Sequence, residues 1–473
     1  MSEHRHAPST WADLLAAGRL PRFALICLGV WLNAADALVT ATIMPSVGAD
    51  LGGYAFFSWS VAGFLLGAIL AGASAGRFSE IVGLRPATVM AGLVLTAGCV
   101  LSALAPGMGL FLLGRVVQGA GSGWMSGLAM VAIAFLFPER HLGRIFAAVA
   151  AVWGLATILG PLLGGLLAAA GSWRTVFWIF AAQAALFAVA ARFLLPREAT
   201  PAQAATVPWR QLGLLCLAVA AIGCADMIQR PGLALALVGL GLGLLVWLLR
   251  FDRRATHRLL PRMAANLGAV PGAGYAAMFF LTATSIGFLI YGPALLQQLH
   301  GLTPLAAGYA VAAHAMAWTL AAFVVSGATP QTGDRWIRLG AACILAGPIL
   351  LALVMREAAV PLVIAAAVIM GAGFGFSSAL MNRRVLAALP DEDRAIGSSA
   401  LIAVRQTGEA VGAAIAGATA NLAGFGAGLT LISARSTALW VFIAALPLAL
   451  AGAMAAWRMT RLPHGEDGQG TGG

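Results

Sequence analysis

The chain alternates long apolar runs with short polar joints. Apolar stretches fall at about 23–46, 56–75, 86–106, 108–136, 145–170, 174–195, 210–228, 232–250, 269–295, 305–326, 338–355, 361–381, 396–420 and 435–457. A helix crossing the ~30 Å hydrocarbon layer takes about 20 apolar residues. The pattern therefore predicts fourteen membrane-spanning helices. The runs at 210–228 and 232–250 carry the weakest signal, being interrupted by glycines and Asp226. Between them, Gln229-Arg230-Pro231-Gly232 reads as a turn.

Composition agrees with this reading. Of 473 residues, 61% are hydrophobic and 10% charged, against roughly 25% charged in soluble domains. All 28 basic residues are arginine, and the net charge is +11. They are scattered over short joints, which excludes a nucleic-acid patch. With the N-terminus on the cytoplasmic side, 22 arginines fall inside and four outside: Arg174, Arg230, Arg356 and Arg435. That asymmetry satisfies the positive-inside rule and places both termini in the cytoplasm. Cys27, Cys99, Cys216, Cys224 and Cys343 lie in apolar runs and form neither a metal-ligand spacing nor a disulfide framework. The Lys-free, Ala/Gly/Arg-rich composition points to a GC-rich bacterial genome, hence to a multi-pass protein of the cytoplasmic (inner) membrane.

The chain repeats itself at an offset of 252 residues. Gly119-Ala120-Gly121-Ser122-Gly123 lies over Gly371-Ala372-Gly373-Phe374-Gly375. Pro138-Glu139 lies over Pro390-Asp391, Gly160 over Gly412, and Gly165 over Gly417. Parallel repeats of this kind are a transporter architecture. The spans one to six and nine to fourteen form the two units, with spans seven and eight inserted. The expected organisation is a cytoplasmic segment 1–22, a six-helix bundle 23–195, a linker 196–262 with two added helices, a second bundle 263–458 and a disordered tail 459–473.

A few polar residues interrupt the apolar runs. Asp36 lies near the middle of the first span, where a charge costs at least ~2.5–3.5 kcal/mol. It must face a cavity or a partner. Such a carboxylate either takes up and releases a proton as its surroundings change, or holds packing by hydrogen bonds. Arg115 in the fourth span stays charged. It either steers a nearby carboxylate or makes a static ion pair. Arg405 and Glu409 lie four apart on one face of the thirteenth span and can pair. They form a self-neutralising structural pair, a second proton site or a counter-ion for a cationic substrate. His314 in the tenth span is a titrating group or a satisfied core residue. Glu80 and Arg85, in the polar joint after the second span, latch helix ends or sit solvated. Gly119, Gly121 and Gly123 lie inside an apolar helix with no preceding strand, so they serve close helix packing and not a nucleotide. No Walker motif, metal spacing or haem-binding histidine pair is visible. ATP-driven transport and membrane redox chemistry are excluded on that basis, no cofactor is expected, and the chain reads as a non-enzyme.

These residues resemble the major facilitator superfamily over nearly the whole chain. Gly76-Arg-Phe-Ser-Glu80-Ile-Val-Gly83-Leu-Arg85 is similar to its signature loop, with Glu80 in place of the usual Asp. Arg115-Val-Val-Gln118-Gly119 resembles its Arg-x-x-Gln-Gly. Gly160-Pro161-Leu-Leu-Gly164-Gly165 resembles the motif of its antiporters, with Ala147 and Ala156 replacing two upstream glycines. The spacing from Asp36 to Pro45, the group Trp59 with Phe64-Leu65-Leu66, and the stretch from Leu296 to Gly308 are similar to the fourteen-helix drug:proton antiporters. The equivalent signature loop in the second half, Gly327 to Arg335, is degraded.

The resemblance implies an all-α membrane protein with the major facilitator fold: two six-helix bundles in parallel repeat plus two inserted helices. It implies a monomeric, proton-coupled antiporter that exports lipophilic or amphipathic small molecules by alternating access. Spans one, four, nine and twelve would line a cavity. Asp36 and Arg115 would couple protons. Gly76, Glu80, Gly83 and Arg85 would gate. Gln118, His314, Arg405 and Glu409 are candidates for substrate contact or a second proton site. An exporter of one metabolite or self-made antibiotic, or a non-transporting membrane sensor, are the alternatives.

Overall fold

The computed structural model describes residues 19–137, 141–196, 207–225, 228 and 230–463. The expectations for Pro138-Glu139, Asp226, Gln229 and most of both terminal segments lie outside these residues. Among the described residues fourteen α-helices follow in order: α1 Arg19–Leu51, α2 Trp59–Val82, α3 Leu84–Ala103, α4 Met108–Leu136, α5 Leu142–Ala169, α6 Trp173–Leu194, α7 Trp209–Cys224, α8 Pro231–Asp252, α9 Val270–His300, α10 Pro304–Val324, α11 Pro330–Val354, α12 Val360–Ala387, α13 Asp391–Leu422 and α14 Leu431–Arg461. Short 3-10 turns, Tyr54–Phe56 and Phe425–Ala427, join α1 to α2 and α13 to α14. Among the described residues there is no strand.

One helix falls on each apolar run. Twelve are long and apolar enough to cross a bilayer. The other two have specific reasons to fall short. α7 has 16 residues, which at the α-helical rise span about 24 Å. α13 opens on Asp391-Glu392-Asp393-Arg394 and carries Ser398, Ser399, Arg405, Gln406 and Glu409 further along. The helices also reach beyond the apolar runs. The joint expected at 76–85 is mostly helical: α2 continues to Val82, and the only non-helical residue before α3 is Gly83. Gly83 sits at φ 88°, a positive value that glycine adopts without a Cβ clash and that breaks the helix there. Arg77 and Glu80 pair at i,i+3 and support the extension.

The chain divides into two compact units, Met1–Thr40 with Gly67–Val207, and Ala41–Leu66 with Pro208–Gly473. In the first, α4 packs against α2 and α3 at glycine contacts. A Cβ on Gly123 would meet the carbonyl of Ala68 in α2, and one on Gly121 would lie 2.5 Å from the backbone nitrogen of Leu95 in α3. In the second unit α12 takes the same place between α10 and α11. A Cβ on Gly375 would strike the carbonyl of Trp318, and one on Gly373 would lie 2.6 Å from that of Gly340. The repeat extends to the next helix. Gly160 of α5 abuts Leu38 of α1, and Gly412 of α13 abuts Ala283 of α9. In these three pairs, Gly121 with Gly373, Gly123 with Gly375 and Gly160 with Gly412, each glycine meets the equivalent neighbour. Small residues let membrane helices approach to backbone contact, where dispersion supplies much of the packing energy.

The inserted pair is part of the second unit. Gly241 of α8 seats against Ile222 of α7, while Ala225, Ala234 and Ala418 pack together beside α13. Trp59, at the start of α2, donates from Nε1 to the carbonyl of Gly223 at 3.2 Å. Asp252 closes α8: its carboxylate accepts from the backbone N–H groups of Leu259 (2.7 Å) and Leu260 (2.9 Å). The connection from α1 to α2 belongs to this unit too. Tyr54 and Phe57 pack edge-on to Phe425, which in turn packs on Tyr291 of α9. Asn421 Nδ2 donates to the carbonyl of Ala55 at 2.7 Å.

Candidate functional site

The first unit holds a buried polar chain between α1, α3 and α4. Asp36 is 3% exposed and Arg115 2%. One guanidinium nitrogen, Arg115 Nη1, donates to both carboxylate oxygens of Asp36 at 2.9 Å. The same nitrogen donates to Gln118 Oε1 at 2.5 Å. Gln118 Nε2 then donates to the Gly98 carbonyl at 3.1 Å and to Ser102 Oγ at 2.7 Å. Arg115 and Gln118 are three apart on α4 and so share a face. Gly98 makes the slot for the amide, because a Cβ there would lie 2.8 Å from Gln118 Cγ. The sequence therefore brings an acid, a fixed cation and a neutral acceptor together in low dielectric. A lone buried charge would be far more costly than this pair. A proton arriving on Asp36 would remove the charge that Arg115 faces and leave Gln118 as a neutral acceptor for it.

Three residues of this region escaped the sequence reading. Asn33 Oδ1 accepts from Ser122 Oγ at 2.8 Å, and Asn33 Nδ2 donates to Ser126 Oγ at 3.3 Å. Their spacing was the available signal. Asn33 is three before Asp36, and Ser122 is four after Gln118, so both extend the same helix faces.

The antiporter-motif residues Gly160, Pro161, Gly164 and Gly165 are all buried in α5. A Cβ on Gly160 would lie 2.9 Å from Leu38 Cβ, two residues beyond Asp36. The signature residues lie apart from this pair in the sequence and at the α2–α3 joint. Gly76 and Glu80 are in the last turns of α2, Gly83 is the break and Arg85 is in the first turn of α3. Glu80 accepts from Arg77 at 2.5 Å.

The remaining candidates are in the second unit. His314 of α10 donates from Nδ1 to the carbonyl of Ala367 in α12 at 3.1 Å. The Phe288 and Phe374 rings flank it at 6.1 and 6.3 Å. Arg405 Nη1 donates to Glu409 Oε1 at 2.6 Å. The degraded second-half joint carries an ion pair that its sequence did not signal, Asp334 with Arg384, and Arg384 also donates to the Leu462 carbonyl at 2.7 Å. Among the described residues no cluster of His, Cys, Asp or Glu could hold a metal.

The family model "Major Facilitator Superfamily" matches residues 26–413. The chain belongs to that superfamily, and is a membrane transporter of small molecules and not an enzyme. It is 29% identical over 489 aligned residues to a protein named "Probable multidrug-efflux transporter" from Mycobacterium tuberculosis H37Rv, covering 98% of this chain and 100% of that one. A transporter of the acurin A biosynthesis cluster of Aspergillus aculeatus is 32% identical over 206 residues, covering 42% of this chain and 37% of that one. The crystal structure of a D-xylose–proton symporter superposes with a TM-score of 0.62 at 17% identity, covering 95% of this chain and 99% of that one, which establishes a common fold.

Proposed function

We propose that this protein is a proton-coupled antiporter that exports lipophilic or amphipathic small molecules across the bacterial inner membrane by alternating access. The observation that carries the reading is the buried Asp36–Arg115–Gln118 chain. Asp36 takes the role of proton carrier. Arg115 stays charged throughout, so its interaction with Asp36 depends on whether the proton is present. A conformational change that weakens or restores this pair is thereby linked to proton uptake. Gly160, packed against Leu38 in the turn that follows Asp36, and the adjacent Pro161 transmit the change to α5. Glu80 and Arg85 act at the α2–α3 joint as a latch. The mycobacterial relative supports the choice of efflux.

The test uses purified protein in liposomes with an interior pH probe and an imposed proton gradient. Lipophilic cations, neutral drugs and amphipathic acids are added in turn. Substrate-dependent proton movement is expected in the wild type and not in Asp36→Asn. Specific transport without proton movement would leave a facilitator. The relative from a biosynthetic cluster favours a second reading, an exporter of one metabolite; transport confined to a single compound class would select it.

A further inference from the structure

We propose that Arg405 and Glu409 form a charge-reading subsite for a zwitterionic amphiphile, in preference to lipophilic ions of either single sign. This deepens the transport reading and rests on it.

The placement of the pair comes from packing. Gly408 and Gly412 lock α13 onto α9: a Cβ on the first would strike the Phe279 carbonyl, and one on the second that of Ala283. Thr282 of α9 donates to the Arg405 carbonyl at 3.3 Å, holding the same register. Arg405 and Glu409 flank these contacts on the same side of α13, and the strip beside them is open. Ser398, Ser399 and Ile402 are exposed there, and Arg405, Gln406 and Glu409 are partly so. The Arg405 side chain is 38% exposed and that of Glu409 19%. Such a polar strip inside a membrane protein is stable where it lines a water-filled space and not where it meets lipid. A substrate in that space meets both charges.

The pair is also incompletely closed. Its contact is a single N–O bond from Nη1 to Oε1. A guanidinium has five N–H donors and a carboxylate two oxygens, so both groups keep capacity for a ligand. Among the described residues, Asp36 and Glu409 are the acids that lie far from a helix end, and each already faces an arginine. A lipophilic cation would find no unpaired carboxylate, and a lipophilic anion no unpaired guanidinium. Binding either one would leave the other member of the pair without its counter-charge and give the wall a net charge. A zwitterion can exchange partners. Its cation takes Glu409, its anion takes Arg405, and one contact becomes two with no charge left over.

The test measures binding by tryptophan fluorescence to the purified full chain in a non-ionic maltoside. Three probes are used: tetraphenylphosphonium, the isosteric tetraphenylborate, and the sulfobetaine 3-(benzyldimethylammonio)propanesulfonate. The wild type is expected to bind the sulfobetaine about tenfold more tightly than either ion. Arg405→Gln should gain about tenfold for the phosphonium, and Glu409→Gln about tenfold for the borate, while both lose the sulfobetaine. The reversed pair, Arg405→Glu with Glu409→Arg, should regain it, which separates charge reading from misfolding of the single variants. Phosphonium binding as tight as sulfobetaine binding in the wild type, or probe preferences unmoved by the single changes, would overturn the proposal. So would binding of none of the probes. The proton-movement assay on Asp36 is independent of these variants and shows whether the transport reading itself has failed.

Discussion

Gln118 works as a hinge of chemistry between a charged pair and a neutral scaffold. It accepts from Arg115 and donates to Gly98 and Ser102, all while buried. Replacing it with leucine keeps approximate volume and removes every one of these bonds. Leaving buried polar partners unsatisfied costs about 1–3 kcal/mol. Gln118→Leu should therefore lower thermal stability in detergent and reduce transport in liposomes. Retained stability would mean that water or a rotated Ser102 replaces the amide. The residue scale is also where the sequence was most informative. Asp36, Arg115 and Gln118 were legible because polar groups stand out against an apolar background. Asn33 and Ser122 were passed over because uncharged polar residues are ordinary in membrane helices, and only their shared helix face marks them.

At the scale of elements, glycine placement decides which helices touch. Gly375 of α12 meets the Trp318 carbonyl and the Ala321 Cβ of α10, so even one methyl group has no room. At Gly243 of α8 an added methyl group would meet nothing within 4 Å. Alanine is a better helix former than glycine by roughly 1 kcal/mol. Gly375→Ala should therefore destabilise the protein, and Gly243→Ala should leave it unchanged or slightly more stable. Thermal unfolding of the two variants, followed by size-exclusion fluorescence, checks the contrast. Equal effects would mean that α10 and α12 separate at little cost. The 252-residue repeat was readable because these same glycines recur in register. The helical character of the α2–α3 joint was not, because charged residues at the membrane surface look alike in a loop and in a helix end.

For the whole molecule, the grouping of Ala41–Leu66 with the second unit is the feature with the largest consequences. Phe425 contacts Tyr54, Phe57 and Tyr291, with ring centroids 5.6, 5.2 and 5.0 Å away. Truncating a buried phenylalanine to alanine costs about 3–5 kcal/mol in a packed core. Phe425→Ala should speed hydrogen–deuterium exchange at residues 53–58 while α3 to α6 keep wild-type protection. A uniform rise over all helices would show a general loss of stability instead of a local undocking.

The run of apolar segments, the charge asymmetry of the joints and the glycine repeat were determined by the sequence itself, because each depends on residue type and spacing along one chain. They sufficed for the helix count and for membership in a transporter class. Which helices exchange hydrogen bonds depends on side chains far apart in the chain, and only the tertiary structure decided that. It joined Asp36 to an arginine 79 positions away, set Asp334 against Arg384 where the motif had decayed, and left the Arg405–Glu409 pair partly exposed beside the α9 contact. Helix rotation and close approach set those outcomes, and periodicity constrains neither across a membrane bundle.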